Sequence, residues 1–104
     1  MELKRVVVTG LGALTPVGNN VADTWQALVA GVSGAGPITH FDASNFKCRI
    51  AAELKGFDAA QYFDRKEMRL LDGYTVYGLV SVDEAICDAG LTDENIDKSR
   101  FGVI

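Results

Sequence analysis

The sequence predicts a layered α/β fold, and three patterns predict it. Near the amino terminus Val6, Val7, Val8 and Thr9 form a continuous β-branched run bounded by Gly10 and Gly12, as in a strand covered on both faces. Apolar residues at helical spacing recur in two later stretches, beginning at Val21 and after Asp72. A period-two stretch over 49–55 and an apolar run over 99–104 complete an alternating order of strand, helix, strand, helix, strand.

The first strand is expected over 5–11. The turn-rich segment Thr15, Pro16, Gly18, Asn19 and Asn20 separates it from a helix with Asn20 as N-cap and Asp23 in a capping-box-like position. Val21, Trp25, Leu28 and Val29 share one face of that helix, and Gly31 is its stop. The Gly, Pro, Ser, Thr and Asn content of 31–45 says loop. Over 49–55, Ile50, Ala52 and Leu54 alternate with Arg49, Ala51, Glu53 and Lys55, the pattern of a half-exposed strand. A turn or short helix over 58–63 leads to a second short helix over 64–71. There Asp64 can cap, and Arg65, Lys66 and Arg69 present one basic edge.

The helix over 72–89 reads as mostly buried, since Val76, Leu79, Val80, Val82 and Ile86 cover much of its circumference and charge is confined to Asp83, Glu84 and Asp88. Gly78, Ser81, Ala85 and Ala89 form a row of small side chains against which another backbone can pack closely. A mid-helix glycine costs about 1 kcal/mol relative to alanine, and close packing is the compensation expected. Gly90 ends the helix, and an acidic connection over 91–97, with Thr92 as a candidate cap, leads into the last strand. Two or three strands and one large helix leave apolar surface uncovered, so these residues read as the opening part of a larger domain with no internal boundary.

With 104 residues, 48% of them hydrophobic, the chain has room for one domain at most. No run approaches the ~18–20 apolar residues of a membrane span, and no long apolar stretch precedes a cleavage-like site, so the expected location is the cytoplasm. The net charge of −4 is unevenly placed: residues 1–70 hold eight basic and seven acidic side chains, residues 71–104 two and seven. That balance disfavours bulk nucleic-acid binding and leaves Arg65, Lys66 and Arg69 as the one basic patch.

The run from Val6 to Gly12 first reads as a dinucleotide turn, but the third glycine of that fingerprint would stand at Thr15, and the helix begins too late after a proline. The glycines are then turn and close-approach positions. Cys48 and Cys87 lack CxxC spacing, and His40 completes no familiar zinc pattern with them. Cys87 lies near a helix carboxyl end, where the dipole disfavours a thiolate, and reads as a buried structural thiol. Cys48, beside Lys47 and Arg49, matches no nucleophile motif, and His40 is expected to make local hydrogen bonds.

The run Val6-Val7-Val8-Thr9-Gly10-Leu11-Gly12, the turn Thr15-Pro16-Val17-Gly18-Asn19 and Trp25 resemble the amino terminus of β-ketoacyl-[acyl-carrier-protein] synthases. His40-Phe41-Asp42, Arg65-Lys66-Glu67, Asp72, the small-faced helix, Ala89-Gly90-Leu91 and Phe101-Gly102-Val103 extend the resemblance, in order, over essentially the whole chain. The Thr15-Pro16-Val17-Gly18 turn is closer to the type II branch.

What the resemblance implies is a thiolase-like layered α-β-α-β-α fold, of which this chain is the first part, and a decarboxylating Claisen condensation on a cysteine thioester. The family's nucleophilic cysteine and paired histidines come later than the stretch that aligns, so catalytic residues are expected to be none in this chain. It further implies an acyl carrier protein as partner, a homodimer, and no metal or nucleotide cofactor, the phosphopantetheine arm belonging to the carrier. Arg65, Lys66 and Arg69 match the family's carrier-docking residues, with Arg65 the one of the three singled out for an internal ion pair instead. Leu70 departs from the pattern, because a basic residue commonly stands there. The alternatives are a non-catalytic homologue of the chain-length-factor kind, a small carrier-binding module and a dinucleotide-binding domain.

Overall fold

A computed structural model describes residues 3–104, and its elements are set by their ends. Helix α1, Val21–Val29, starts where the Asn20 side chain accepts the Asp23 N–H at 2.8 Å; the Asn20 amide in turn donates to the Asp23 carboxylate at 2.8 Å. It stops at Gly31, whose φ of +70° lets Gly31 N–H reach the Leu28 carbonyl (3.1 Å) and Val32 N–H the Ala27 carbonyl (2.9 Å), so the last carbonyls find donors. Helix α3, Gly73–Asp88, ends the same way at Gly90. Between them lie strand β1, Gly36–Pro37, antiparallel to strand β2, Ile50–Ala51, then a 3₁₀ turn, Ala59–Gln61, and the short helix α2, Arg65–Met68.

The expected row of small side chains does receive a neighbouring backbone, and the neighbour is the amino-terminal segment. A Cβ placed on Gly12 would collide with the Ser81 carbonyl and lie 2.9 Å from Ala85 N; one on Gly10 would collide with the Ala85 carbonyl and lie 2.7 Å from the Ala89 Cβ. Glycine is required at both positions by this approach to α3. Gly78 faces open space and takes no part.

Two carboxylates one turn apart on α3 fix the approach. Glu84 accepts the Ala13 N–H and the Val21 N–H, each at 2.9 Å, and Asp88 accepts the Leu11 N–H at 2.9 Å. Glu84 thereby ties the first residue of α1 to α3, and the Thr15–Gly18 bridge closes the turn between. Lys55 is the second anchor, its ammonium donating to the carbonyls of Gly34 (2.6 Å), Pro16 (3.1 Å) and Glu53 (3.4 Å). The Asn19 amide returns a bond to the Lys55 carbonyl at 3.1 Å.

Several expectations fail, for one reason. Residues 5–11 form no strand, the expected strand over 99–104 is a turn followed by irregular chain, and the strand expected over 49–55 shrinks to Ile50–Ala51. A strand exists only with a partner for its N–H and C=O groups, and no other part of the described chain pairs with 5–9 or 101–104. Only Val76 and Val80 of α3 are buried, so the helix is not mostly buried; Cys87 is exposed, and the apolar face of α1 is open with Trp25 65% exposed.

The loop expected over 31–45 contains β1, and Thr92 is the donor to Asn95 rather than a cap. Ala43, Val76 and Val80 make up the buried apolar set among the described residues, and each keeps a few per cent of its surface exposed. The radius of gyration is 17.6 Å, against about 13 Å for a compact domain of this length. The accessible surface is 8869 Å², where a compact protein of this mass exposes roughly 5,700 Å².

Candidate functional site

The basic edge is built by a cap and an aromatic anchor. Asp64 Oδ1 accepts the N–H of Lys66 (2.7 Å) and of Glu67 (2.8 Å), while Glu67 Oε2 accepts the Asp64 N–H at 3.0 Å, a reciprocal box that starts so short a helix. Just before it, Phe57 stacks on Tyr62 (centroids 5.9 Å apart) and meets Tyr77 of α3 edge-on (5.7 Å), which seats the 3₁₀ turn and α2 beside α3.

The cap has an electrostatic consequence. Over 64–74 three basic residues face three acidic ones, Asp64, Glu67 and Asp72, yet two of these carboxylates are turned onto the backbone of α2. Arg65, Lys66 and Arg69 are all exposed, and none is in an ion pair among the described residues, so the internal pair considered for Arg65 is not formed. Leu70 follows them at 79% exposure. A hollow of about 310 Å³ lies between the residues that follow the 3₁₀ turn, Tyr62 and Phe63, and Leu79, Val80 and Asp83 of α3. This arrangement holds no nucleophile beside a base; what it can do is recognise an acidic surface.

The other candidates stay apart. Cys48 is exposed, with its thiol 3.5 Å from the Ile50 carbonyl. His40 makes the local contacts expected: its N–H donates to Glu53 Oε1 at 3.3 Å, and its ring Nε2 lies 3.8 Å from the same oxygen. Glu53 also accepts from the Thr39 hydroxyl (2.7 Å) and N–H, and the hydroxyl is the chief cause that holds its carboxyl below the usual range. Among the described residues no three His, Cys, Asp or Glu side chains cluster as metal ligands, and no helix is long and apolar enough to cross a membrane.

Glu84 and Lys55, which position the whole amino-terminal half, were not singled out by the sequence pattern. The available signal was the placement of Glu84 and Asp88 directly beside the small residues Ser81, Ala85 and Ala89, where the N–H groups of an approaching backbone need acceptors.

Residues 3–104 match the family model described as the β-ketoacyl synthase N-terminal domain. The chain belongs to the β-ketoacyl synthase family. It is 47% identical over 104 residues to the 3-oxoacyl-[acyl-carrier-protein] synthase 2 of Synechocystis sp., covering 100% of this chain and 25% of that protein. It is 48% identical over 103 residues to the synthase 2 of Coxiella burnetii, covering 99% of this chain and 25% of that protein. The chain thus spans about a quarter of the length of the curated relatives it matches.

Among solved structures, the ishigamide ketosynthase/chain length factor aligns with a TM-score of 0.77 at 31% identity, covering 86% of this chain and 22% of that one. A type II polyketide acyl-carrier protein in complex with its ketosynthase bound to the hexaketide aligns at 0.60 and 27%, covering 88% and 23%. The fold of this β-ketoacyl synthase chain is therefore that of the amino-terminal part of the thiolase-like ketosynthases.

Proposed function

We propose that these residues are the amino-terminal part of a type II 3-oxoacyl-[acyl-carrier-protein] synthase, an acyltransferase of fatty acid elongation, within one thiolase-like domain. The observation that carries the reading is 47% identity across all 104 residues to a protein of that name. In the reaction a cysteine thiolate takes the acyl group from its thioester. Malonyl-carrier then loses its carboxylate as carbon dioxide, and the electron pair left behind attacks the acyl-cysteine carbonyl and expels the thiolate. The cysteine and the two histidines that assist lie outside these residues on this reading.

The share of this chain is recognition: Arg65, Lys66 and Arg69 face the acidic acyl carrier protein and orient it. The solved complex of a carrier protein with a ketosynthase of the same fold supports that role. A cytoplasmic homodimer belongs to the same reading. The second reading, a non-catalytic partner of the chain-length-factor kind, is favoured by the 31% identity to the ketosynthase/chain length factor structure.

The test is the intact mass of the protein from its natural source, followed by incubation with acyl-carrier and malonyl-carrier proteins. A mass several times 11.2 kDa, with carbon dioxide released and a 3-oxoacyl product two carbons longer, is expected. Carrier binding without condensation would establish the non-catalytic partner, and absence of both would overturn the reading.

A further inference from the structure

Lys55 carries a charge that no carboxylate balances, for among the described residues it makes no ion pair. What meets it is backbone oxygen. A lysine ammonium has three N–H donors and no acceptor, and those of Lys55 are spent on the carbonyls of Gly34 (2.6 Å), Pro16 (3.1 Å) and Glu53 (3.4 Å). The three oxygens come from the turn before α1, the chain after α1 and the chain after β2. Their convergence has a cause of its own, because Gly34 is pressed against that turn: a Cβ there would lie 2.7 Å from the Pro16 Cβ and 3.1 Å from Val17 Cγ1. Converging backbone carbonyls hold a cation by taking the place of its water. A hollow of about 360 Å³, lined in part by Pro16, Val17, Ser33 and Lys55, leaves a small cation room to enter.

We propose that the carbonyls of Pro16, Gly34 and Glu53 form a binding site for a primary ammonium ion, which the protein fills from within with Lys55. The site requires N–H donors that spread from one point as well as a positive charge. Arginine, whose donors lie in a flat fork, is therefore a poor substitute. With the side chain cut back to Cβ, the site takes a small ammonium from solution. None of this rests on carrier-protein recognition or on condensation chemistry.

The experiment follows thermal unfolding of the complete protein as wild type, Lys55→Ala and Lys55→Arg, each in methylammonium chloride and in tetramethylammonium chloride at equal ionic strength. Lys55→Ala is expected to lower the midpoint by about 3–6 °C, and Lys55→Arg to recover a minor part of that loss. Methylammonium should raise the midpoint of Lys55→Ala in a saturable manner and leave the wild type unchanged. Tetramethylammonium, with the same charge and no N–H, should do neither. If methylammonium gives Lys55→Ala no more than it gives the wild type, if the two salts act alike, or if arginine restores full stability, there is no ammonium site and the proposal is wrong. Where Lys55→Ala does not fold, the wild type decides. Acetic anhydride should then acetylate Lys55 severalfold more slowly than Lys47, which is exposed and in no ion pair among the described residues; equal rates would overturn the proposal.

Discussion

Residues 3–9 and residues 10–21 adjoin in sequence and meet opposite fates. In the second stretch Glu84 and Asp88 accept three backbone N–H groups, two glycines admit the chain to the backbone of α3, and Asn20 caps α1. The first stretch has the stronger strand propensity, yet Val6 is 90% and Val8 80% exposed, and neither pairs with another strand. The difference teaches that propensity does not place a segment; partners for its polar groups do. Residues 10–21 find those partners inside this chain. Residues 3–9 and 101–104 present apolar surface with none.

The sharpest way to break this contrast is to close the space that admits the docked stretch. Gly12→Ala puts a methyl group against the Ser81 carbonyl, a backbone atom that cannot rotate away, and should destabilise the complete protein by about 3 kcal/mol in urea unfolding. Glu84→Ala comes next. It leaves the Ala13 and Val21 N–H groups without acceptors and should cost about 2–3 kcal/mol, whereas Glu84→Gln, which keeps one carbonyl oxygen, should cost about half as much. Asn20→Ala removes only a cap on α1 and should cost about 1 kcal/mol. A Val6→Thr control in the isolated chain should change stability by less than any of these, because nothing packs on it.

The smallest effect concerns pH. The folded carboxyl of Glu53 titrates below its unfolded value, so its contribution is fully present above the unfolded pKa of about 4.3 and is lost as pH falls through the folded one. Thr39→Val removes the hydroxyl that chiefly lowers it. The variant should then be slightly less stable near neutral pH and lose less stability than the wild type as pH falls below the unfolded pKa, giving a shallower acid limb in urea unfolding followed by fluorescence at a series of pH values.

Local signals were legible in the sequence because their physics is local. Asn20, Asp64, Gly31 and Gly90 each bound or end a helix where the pattern placed them, since a cap needs only neighbours within about a turn. The glycines at 10 and 12 read correctly as close-approach positions, and the small residues Ser81, Ala85 and Ala89 as the surface approached. Legible too, through the order of short motifs, was the family.

What the pattern could not supply was the partner of each strand or the direction a charged side chain takes. Glu84 and Asp83 stand side by side in the sequence, and only Glu84 turns toward the amino-terminal segment. The basic edge was legible as composition; that two neighbouring acids are spent on capping, leaving the cations without an ion pair among the described residues, required coordinates.

Amide hydrogen exchange of the 104-residue chain tests the central claim most directly. The N–H groups of Leu11, Ala13 and Val21 should exchange as slowly as those in the middle of α3, while those of 6–8 and 102–104 exchange at the rate of a free peptide. Equal protection of 6–8 and of α3, or equally fast exchange at Ala13 and Val7, would contradict the account.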